Sequence, residues 1–289
     1  MSESNPYTGR FAPSPTGPLH FGSLACALGS YLDAVSHGGQ WLVRMEDLDP
    51  PREEPGAAQR IVRSLEAHGL HWHGPLEWQS RRHRLYDEVL DDLAARGLTY
   101  PCHCSRAQIR RAGGHDNRGC RARTDAQGPS ALRVACSGGE ERFTDLWRGT
   151  QIQQIRDDTL LRRRDGLYAY QLAVVVDDID QGVTHVVRGA DLLDSSGAQQ
   201  RLFRLLGAEA PQFGHLPLVL GTAGQKLSKQ SCAPAIDDHR AGDNLIQAMR
   251  FLGFHPPAEL GSEAPPAILS WATARWQRRQ VDRHNRQLH

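Results

Sequence analysis

Two short stretches of this chain have residue types and spacing suited to handling phosphate. His20-Phe21-Gly22-Ser23 closes a proline-stiffened loop that begins at Arg10, and it runs directly into an apolar-periodic stretch. That order presents an imidazole and a position without Cβ at a helix N-terminus, where backbone N–H groups and the helix dipole favour anions. Far downstream, Lys226-Leu227-Ser228-Lys229-Gln230 reads as a loop that can carry ammonium groups over a polyphosphate. The two stretches are expected to form the two halves of one ATP site. His20, Gly22 and Ser23 supply the early half; Lys226, Ser228 and Lys229 supply the late half. His20, Lys226 and Lys229 are the expected catalytic groups, because positioned positive donors can carry most of the acceleration when charge gathers on phosphate oxygens. Mg²⁺ is expected with the ATP. Other phosphate motifs are excluded: Gly221–Ser228 has the wrong glycine spacing for a Walker A loop, and neither a G-x-G-x-x-G pattern nor a kinase set is present.

The cysteines form a second chemical group. Of six, at 26, 102, 104, 120, 136 and 232, three fall in Cys102-His103-Cys104 and Cys120. The chain reads as cytosolic: its N-terminus is polar and lacks the apolar core of a secretion signal, and no apolar run approaches the ~20 residues of a membrane span. A chain of that kind rarely uses disulfides, so three clustered thiols point to a structural zinc with a fourth ligand. His115 and Asp116 are the candidates for the fourth place. Cys26, Cys136 and Cys232 read as packing residues.

The net charge of +1 argues against a uniformly basic surface. Any nucleic-acid contact must therefore be local. Arg81–Arg84, Arg162–Arg164 and the segment from Arg275 to Arg286 are basic clusters, which more often are solvated faces.

These residues need a frame to hold them. Residues 7–48 read as strand, loop, helix, strand. The helix carries Leu24, Ala27, Leu28, Tyr31, Leu32 and Val35 and stops at Gly38-Gly39. The strand Gln40–Met45 ends in Glu46, and ligands of open α/β sheets bind outside the carboxyl ends of strands. Such a β-α-β unit opens a doubly wound nucleotide-binding fold. Amphipathic helices follow near 57–68 and 82–95. From Tyr100 to about Arg164 periodicity fades and Gly, Arg, Cys and Asp rise, which reads as an inserted subdomain. Arg164-Asp165-Gly166 is a hairpin-type turn. The α/β pattern then returns. The apolar run Leu172–Val176 leads to Asp177-Asp178. A strand over Val183–Val187 ends in Arg188-Gly189-Ala190-Asp191, a helix runs near Leu192–Leu206, and a strand over Leu216–Leu220 precedes the lysine loop. Beyond Ala233 the chain reads as mostly helical, and no internal repeat is present.

The His20 and Lys226–Gln230 stretches resemble the HIGH and KMSKS signatures of class I aminoacyl-tRNA synthetases. The resemblance narrows when more of the chain is included. Arg10–Gly17, Arg44-Met45-Glu46-Asp47, Tyr170, Arg188-Gly189-Ala190-Asp191-Leu192 and Lys226–Gln230 occur in the order seen in glutamyl-tRNA synthetases, over about residues 8–230. The resemblance implies an α/β fold with a doubly wound parallel sheet, Rossmann-like and of the HIGH type. It also implies a glutamate site made of Arg10, Ala12, Ser14, Glu46, Tyr170 and Arg188. The chemistry fits the amino acid: two arginines for two carboxylates, Glu46 for the ammonium and a fixed tyrosine hydroxyl. Relatives share a similar cysteine set, in some with a tyrosine four residues before the last cysteine. Asp116 stands at that position here.

The expected organisation is 1–99 and 166–232 as the two halves of the catalytic α/β domain. Residues 100–165 form the cysteine-bearing insertion, and 233–289 form a short helical region. About sixty residues follow Gln230, too few for the anticodon-binding domain of a glutamyl-tRNA synthetase. The chain therefore resembles the truncated bacterial paralogue family, the glutamyl-Q tRNA(Asp) synthetases. That resemblance implies tRNA-independent formation of glutamyl-adenylate from L-glutamate and ATP. Glutamate then passes to queuosine in the anticodon loop of tRNA(Asp). The alternatives are a short enzyme charging a tRNA 3′ end, an idle tRNA-binding paralogue, or a related small adenylyltransferase. The two-arginine set and the cysteine insertion argue against the last.

Overall fold

A computed structural model describes residues 6–113, 115, 119–120, 128–220 and 234–287. In chain order the regular elements begin with β1 (Thr8–Phe11), α1 (Phe21–Ser36), β2 (Gln40–Met45), α2 (Ala57–Ala67), β3 (Glu77–Trp78) and α3 (His83–Ala95). The middle of the chain forms β4 (Thr99–Cys102), α4 (Arg106–Arg111), β5 (Ala131–Val134), β6 (Glu140–Asp145), β7 (Gly149–Gln154) and β8 (Thr159–Arg162). The remainder forms α5 (Tyr170–Asp180), β9 (His185–Gly189), α6 (Ser196–Leu205), β10 (Gln212–Leu216), β11 (Val219–Leu220), α7 (Ala241–Phe251), α8 (Pro265–Thr273) and β12 (Arg286–Gln287).

The main sheet is parallel with strand order β10-β9-β1-β2-β3. β1 sits at its centre. The chain builds outward from β1 to β2 and β3, then crosses back to lay β9 and β10 on the other side. This reversal of strand order creates a crevice at the carboxyl ends of β1 and β9. Two apolar cores cover the two faces. Phe11, Trp41, Val43, Met45 and Val187 pack on one face with residues of α1, α2, α7 and α8. Val186 and Phe213 pack on the other with α3, α5 and α6.

Side chains alternate along a strand, so parity assigns every strand residue to a face. Arg10, Arg44 and Arg188 alternate with Phe11, Met45 and Val187, and His215 shares parity with Phe213. All four therefore lie on the α5 face, with His215 directly beside Arg188 in the β10–β9 register. Glu46, just past β2, has the same parity as Arg44.

The apolar run Leu172–Val176 is the first half of α5, wholly buried between the sheet and its neighbouring helices. A continuous apolar run does not distinguish a buried strand from a buried helix. β9 runs two residues later than expected, so Arg188 and Gly189 are its last residues rather than part of the following loop. The expected strand over Leu216–Leu220 is broken: β10 ends at Leu216 and β11 begins at Val219. Pro217 lies at the break and has no N–H for a ladder. The described residues between 99 and 162 include a three-stranded sheet, β4-β5-β8, and the hairpin β6-β7. After β8 the chain turns tightly, with Gly166 at φ +88° and the Arg163 N–H donating to Leu167 O at 2.7 Å. Among the described residues, no helix is long and apolar enough to cross a membrane.

Candidate active site

The loop after β1 is held by its own backbone. The Thr16 N–H donates to Ser14 O at 2.8 Å, and the Glu46 N–H donates to Pro13 O at 3.0 Å. This second bond ties the loop to the end of β2. The loop delivers His20 as the N-cap of α1, where its Nδ1 accepts from the Ser23 N–H at 3.3 Å. Ser23 Oγ lies 3.1 Å from Nε2 of the same ring. With Nδ1 accepting, the proton resides on Nε2, and the imidazole is a donor there. The first turn of α1 carries no acidic side chain, so nothing within the helix itself offsets its positive dipole end.

A cavity of ≈ 250 Å³ opens at this helix start. Ser14, Thr16, His20, Gly22 and Ser23 line one side; Gly189, Asp191 and Val219 line the other. A Cβ on Gly22 would stand 3.2 Å from His20 Cε1 and 3.3 Å from Nδ1, so the glycine also makes room for the imidazole. A Cβ on Gly189 would meet Asp191 Oδ1 at 2.6 Å. The Arg188-Gly189-Ala190-Asp191 motif by itself assigns Asp191 no role. Only the folded chain turns its carboxylate to the same cavity as His20. Cys26 lies half-buried in the cavity wall, and Cys136 is buried against Thr159.

Lys226, Ser228, Lys229 and Cys232 lie outside the described residues. The positions on either side of that stretch are described. Val219 lines the cavity, Ala235 forms a β-bridge with His20, and the Ile236 N–H donates to Leu19 O at 3.0 Å.

Beside the cavity, the ends of β1, β2 and β9 and the start of α5 bring together Arg10, Glu46, Arg188 and Tyr170. Arg10 and Arg188 are buried. The four act on one another electrostatically: Arg188, Glu46 and Arg10 all influence the Tyr170 phenol. Arg10 donates Nε and Nη2 to Asp178 at 3.2 Å each. Arg188 donates Nε to His215 Nε2 at 3.0 Å and Nη2 to Ser196 Oγ at 2.8 Å and Leu192 O at 3.2 Å. Both guanidiniums thus commit their Nε–Nη2 edges to protein partners. A buried guanidinium must satisfy its donors within the protein, and Nη1 is the group left out of these bonds. In Arg188 that group lies 3.5 Å from the Tyr170 hydroxyl.

Beneath these residues is a buried charge lattice that motif and spacing do not reveal. Arg44, fully buried, donates Nη2 to Asp178 at 2.7 Å and approaches Asp177 at 3.5 Å and Glu46 at 3.7 Å. Asp177 also receives Gln79 and Arg82 at 2.7 Å each and the Tyr86 hydroxyl at 3.0 Å. The Glu46 carboxyl is pushed up to about 7, first by burial, with Arg44 and Arg10 opposing and Asp178 and Asp177 adding to the rise. Burial pulls Arg188 below its usual value; Tyr170 opposes this and the like charge of Arg10 adds to it. The site therefore holds one carboxyl poised between its two forms and two nearby cations, a setting suited to an amino acid with an extra carboxylate.

The model of the family of tRNA synthetases class I (E and Q), catalytic domain, matches residues 7–258. A glutamyl-Q tRNA(Asp) synthetase of Vibrio cholerae is 47% identical over 275 residues, covering 94% of this chain and 90% of that protein. One from Neisseria meningitidis is 48% identical, covering 96% of this chain and 98% of that protein. The chain belongs to the glutamyl-Q tRNA(Asp) synthetase family. In fold it is similar to the glutamate tRNA ligase of Elizabethkingia meningosepticum solved in complex with its amino acid. That similarity has a TM-score of 0.80 at 25% identity and covers 98% of this chain and 67% of that one. A putative arginyl tRNA synthetase of Campylobacter jejuni, at 13% identity and a TM-score of 0.51, shares the fold alone.

In this member of the glutamyl-Q tRNA(Asp) synthetase family, Cys102, Cys104, His115 and Cys120 place their ligand atoms within 4.8 Å of one another. Asp116 lies outside the described residues. His115 Nε2 is 3.1 Å from Cys102 Sγ and 3.4 Å from Cys120 Sγ, and Cys104 and Cys120 sulfurs are 3.3 Å apart. A tetrahedral site with ~2.3 Å metal–sulfur bonds sets sulfurs ~3.8 Å apart, so the cluster fits a metal ion with little movement. The Tyr100 hydroxyl donates to Asp158 Oδ2 at 2.5 Å, so its oxygen is left to accept from His115 Nδ1 at 3.1 Å. That arrangement aims the Nε2 lone pair at the sulfurs. Burial, and then the sulfurs of Cys104 and Cys102, push the Cys120 thiol up to about 12. A cation among the sulfurs would reverse that balance.

Proposed function

We propose that the chain activates L-glutamate with ATP, without tRNA, and then transfers the glutamyl group to queuosine in the anticodon loop of tRNA(Asp). The observation that carries this reading is the convergence of Arg10, Glu46, Tyr170 and Arg188 beside a cavity at the start of α1. Arg188 and Arg10 receive the two carboxylates through their remaining Nη1 groups, Glu46 receives the ammonium, and Tyr170 orients the amino acid. Ser14 lines the cavity on the loop side, and in this reading Ala12 also belongs to the glutamate site. A carboxylate oxygen of glutamate attacks the α-phosphorus of ATP. The new O–P bond forms as the bond to the β-phosphate oxygen breaks, and pyrophosphate leaves with its electron pair. His20 donates from Nε2 to phosphate oxygens, and the α1 N-terminus adds its dipole. Gly22 and Ser23 shape the nucleotide's approach. In this reading Lys226, Ser228 and Lys229 meet the leaving pyrophosphate, and Mg²⁺ accompanies ATP as charge compensation.

Cys102, Cys104, Cys120 and His115 hold a structural Zn²⁺, which would tie β4 to the segment around Cys120. The reading places the protein in the cytoplasm with its tRNA. The test is pyrophosphate exchange with glutamate alone, followed by transfer of labelled glutamate to tRNA(Asp) carrying or lacking queuosine. Exchange without tRNA and label only on the modified tRNA are expected. Label at the 3′ end of unmodified tRNA(Glu) would instead identify a charging enzyme, and absence of exchange would identify an idle paralogue.

A further inference from the structure

A buried hydrogen-bonded arrangement beside Arg188 involves residues to which the proposed reaction assigns no part. Asp145, at the end of β6, and His215, on β10, are buried with Arg188. One oxygen of Asp145 accepts the backbone N–H groups of Trp147, Arg148 and His215 at 3.0, 2.9 and 3.2 Å. Its other oxygen lies 2.5 Å from His215 Nδ1. A carboxylate surrounded by this many donors stays ionised and demands a proton on Nδ1. The lone pair of His215 is then on Nε2, where it accepts the Arg188 Nε–H. The opposite tautomer would set two N–H donors against each other. The Phe213 ring lies 5.0 Å beneath the Arg188 guanidinium and closes its remaining face.

We propose that Asp145 and His215 are positioning residues, a buried relay that fixes the plane of Arg188 so that Nη1 faces the substrate carboxylate. The proposal rests on the reading of Arg188 as a glutamate receptor. It also gives the β6-β7 hairpin a task, since Asp145 at the end of β6 bonds directly to His215. The physical argument is one of geometry. An arginine has several rotatable bonds, and a carboxylate receptor works only when its plane is set in advance. Ser196 and Leu192 restrain Nη2; among the described residues His215 alone restrains Nε.

The experiment is glutamate-dependent pyrophosphate exchange with His215→Phe, His215→Gln, Asp145→Asn and Arg188→Ala. His215→Phe keeps a ring but removes the acceptor, so the KM for glutamate should rise about tenfold or more while the KM for ATP stays within about twofold. His215→Gln restores an acceptor and should recover most of the loss. Asp145→Asn releases the tautomer and should resemble His215→Phe. An unchanged glutamate KM in His215→Phe, or equal rises for glutamate and ATP, overturns the relay. If Arg188→Ala leaves the glutamate KM unchanged, the reading of the amino-acid site fails instead. Nitrogen-15 spectra of the wild-type protein test the relay without a variant: His215 should be the neutral Nδ1–H tautomer near pH 7.5, and the Nε2–H form or an imidazolium overturns it.

Discussion

Glu46→Gln isolates a buried carboxyl whose ionisation the fold makes costly. The Glu46 side chain is 9% exposed and rises from an ordinary 4.5 to about 7, with burial as the largest cause. The folded protein therefore favours the protonated form more than the unfolded chain does. The associated stability is complete below pH 4.5 and is lost as pH rises through 7. Each pKa unit is worth ~1.4 kcal/mol, so ionised Glu46 costs the free protein ~3 kcal/mol above pH 8. Glutamine keeps the shape and cannot ionise. In urea unfolding, Glu46→Gln should match the wild type near pH 4 and exceed it by ~3 kcal/mol near pH 8.5. Glutamate binding should show the converse. Its ammonium requires the carboxylate, so wild-type affinity should weaken by up to about tenfold per pH unit below 7, while Glu46→Gln binds weakly at every pH. Calorimetric titration at several pH values measures this. Parallel stability profiles for the two proteins would refute the reasoning, because no other group differs between them.

Four other perturbations have definite outcomes. Asp178→Asn removes the charge shared by Arg10 and Arg44, leaves buried cations underpaired, and should destabilise the fold by about 3 kcal/mol or more in denaturant unfolding. Lys229→Ala should depress single-turnover adenylate formation far more than it weakens glutamate binding in calorimetry; the reverse order would remove Lys229 from the phosphate step. Cys104→Ser should lower zinc content measured by atomic emission and reduce thermal stability. Tyr100→Phe should keep zinc but weaken it by about 10-fold in a competitive chelator titration, since Tyr100 orients His115. Equal chelator sensitivity in that variant and the wild type would show that the tyrosine does not set the ligand.

The sequence by itself determined the parts whose logic is local. His20 and Gly22 sit at a helix start because a proline-stiff loop precedes an apolar-periodic segment. Glu46 sits at a strand end because the run Gln40–Met45 stops there. The alternation within each strand already sends Arg44 and Glu46 to the same side as each other. What the sequence did not contain was which strands become neighbours and what covers them. Arg188 and His215 are 27 positions apart, and Asp145 is 70 from His215. Their meeting depends on β9 and β10 pairing in one register and on the β6-β7 hairpin docking beside them. Asp178 partners Arg10 only because the apolar run before it coils into α5 and lies across the sheet. Periodicity reports which side of an element is apolar, whereas the pairing of buried charges is a long-range choice made when whole elements pack. The tertiary structure alone therefore decided the partners of Arg10 and Arg188, the raised carboxyl of Glu46 and the approach of His115 to the thiols, because each depends on desolvation and contact between segments far apart along the chain.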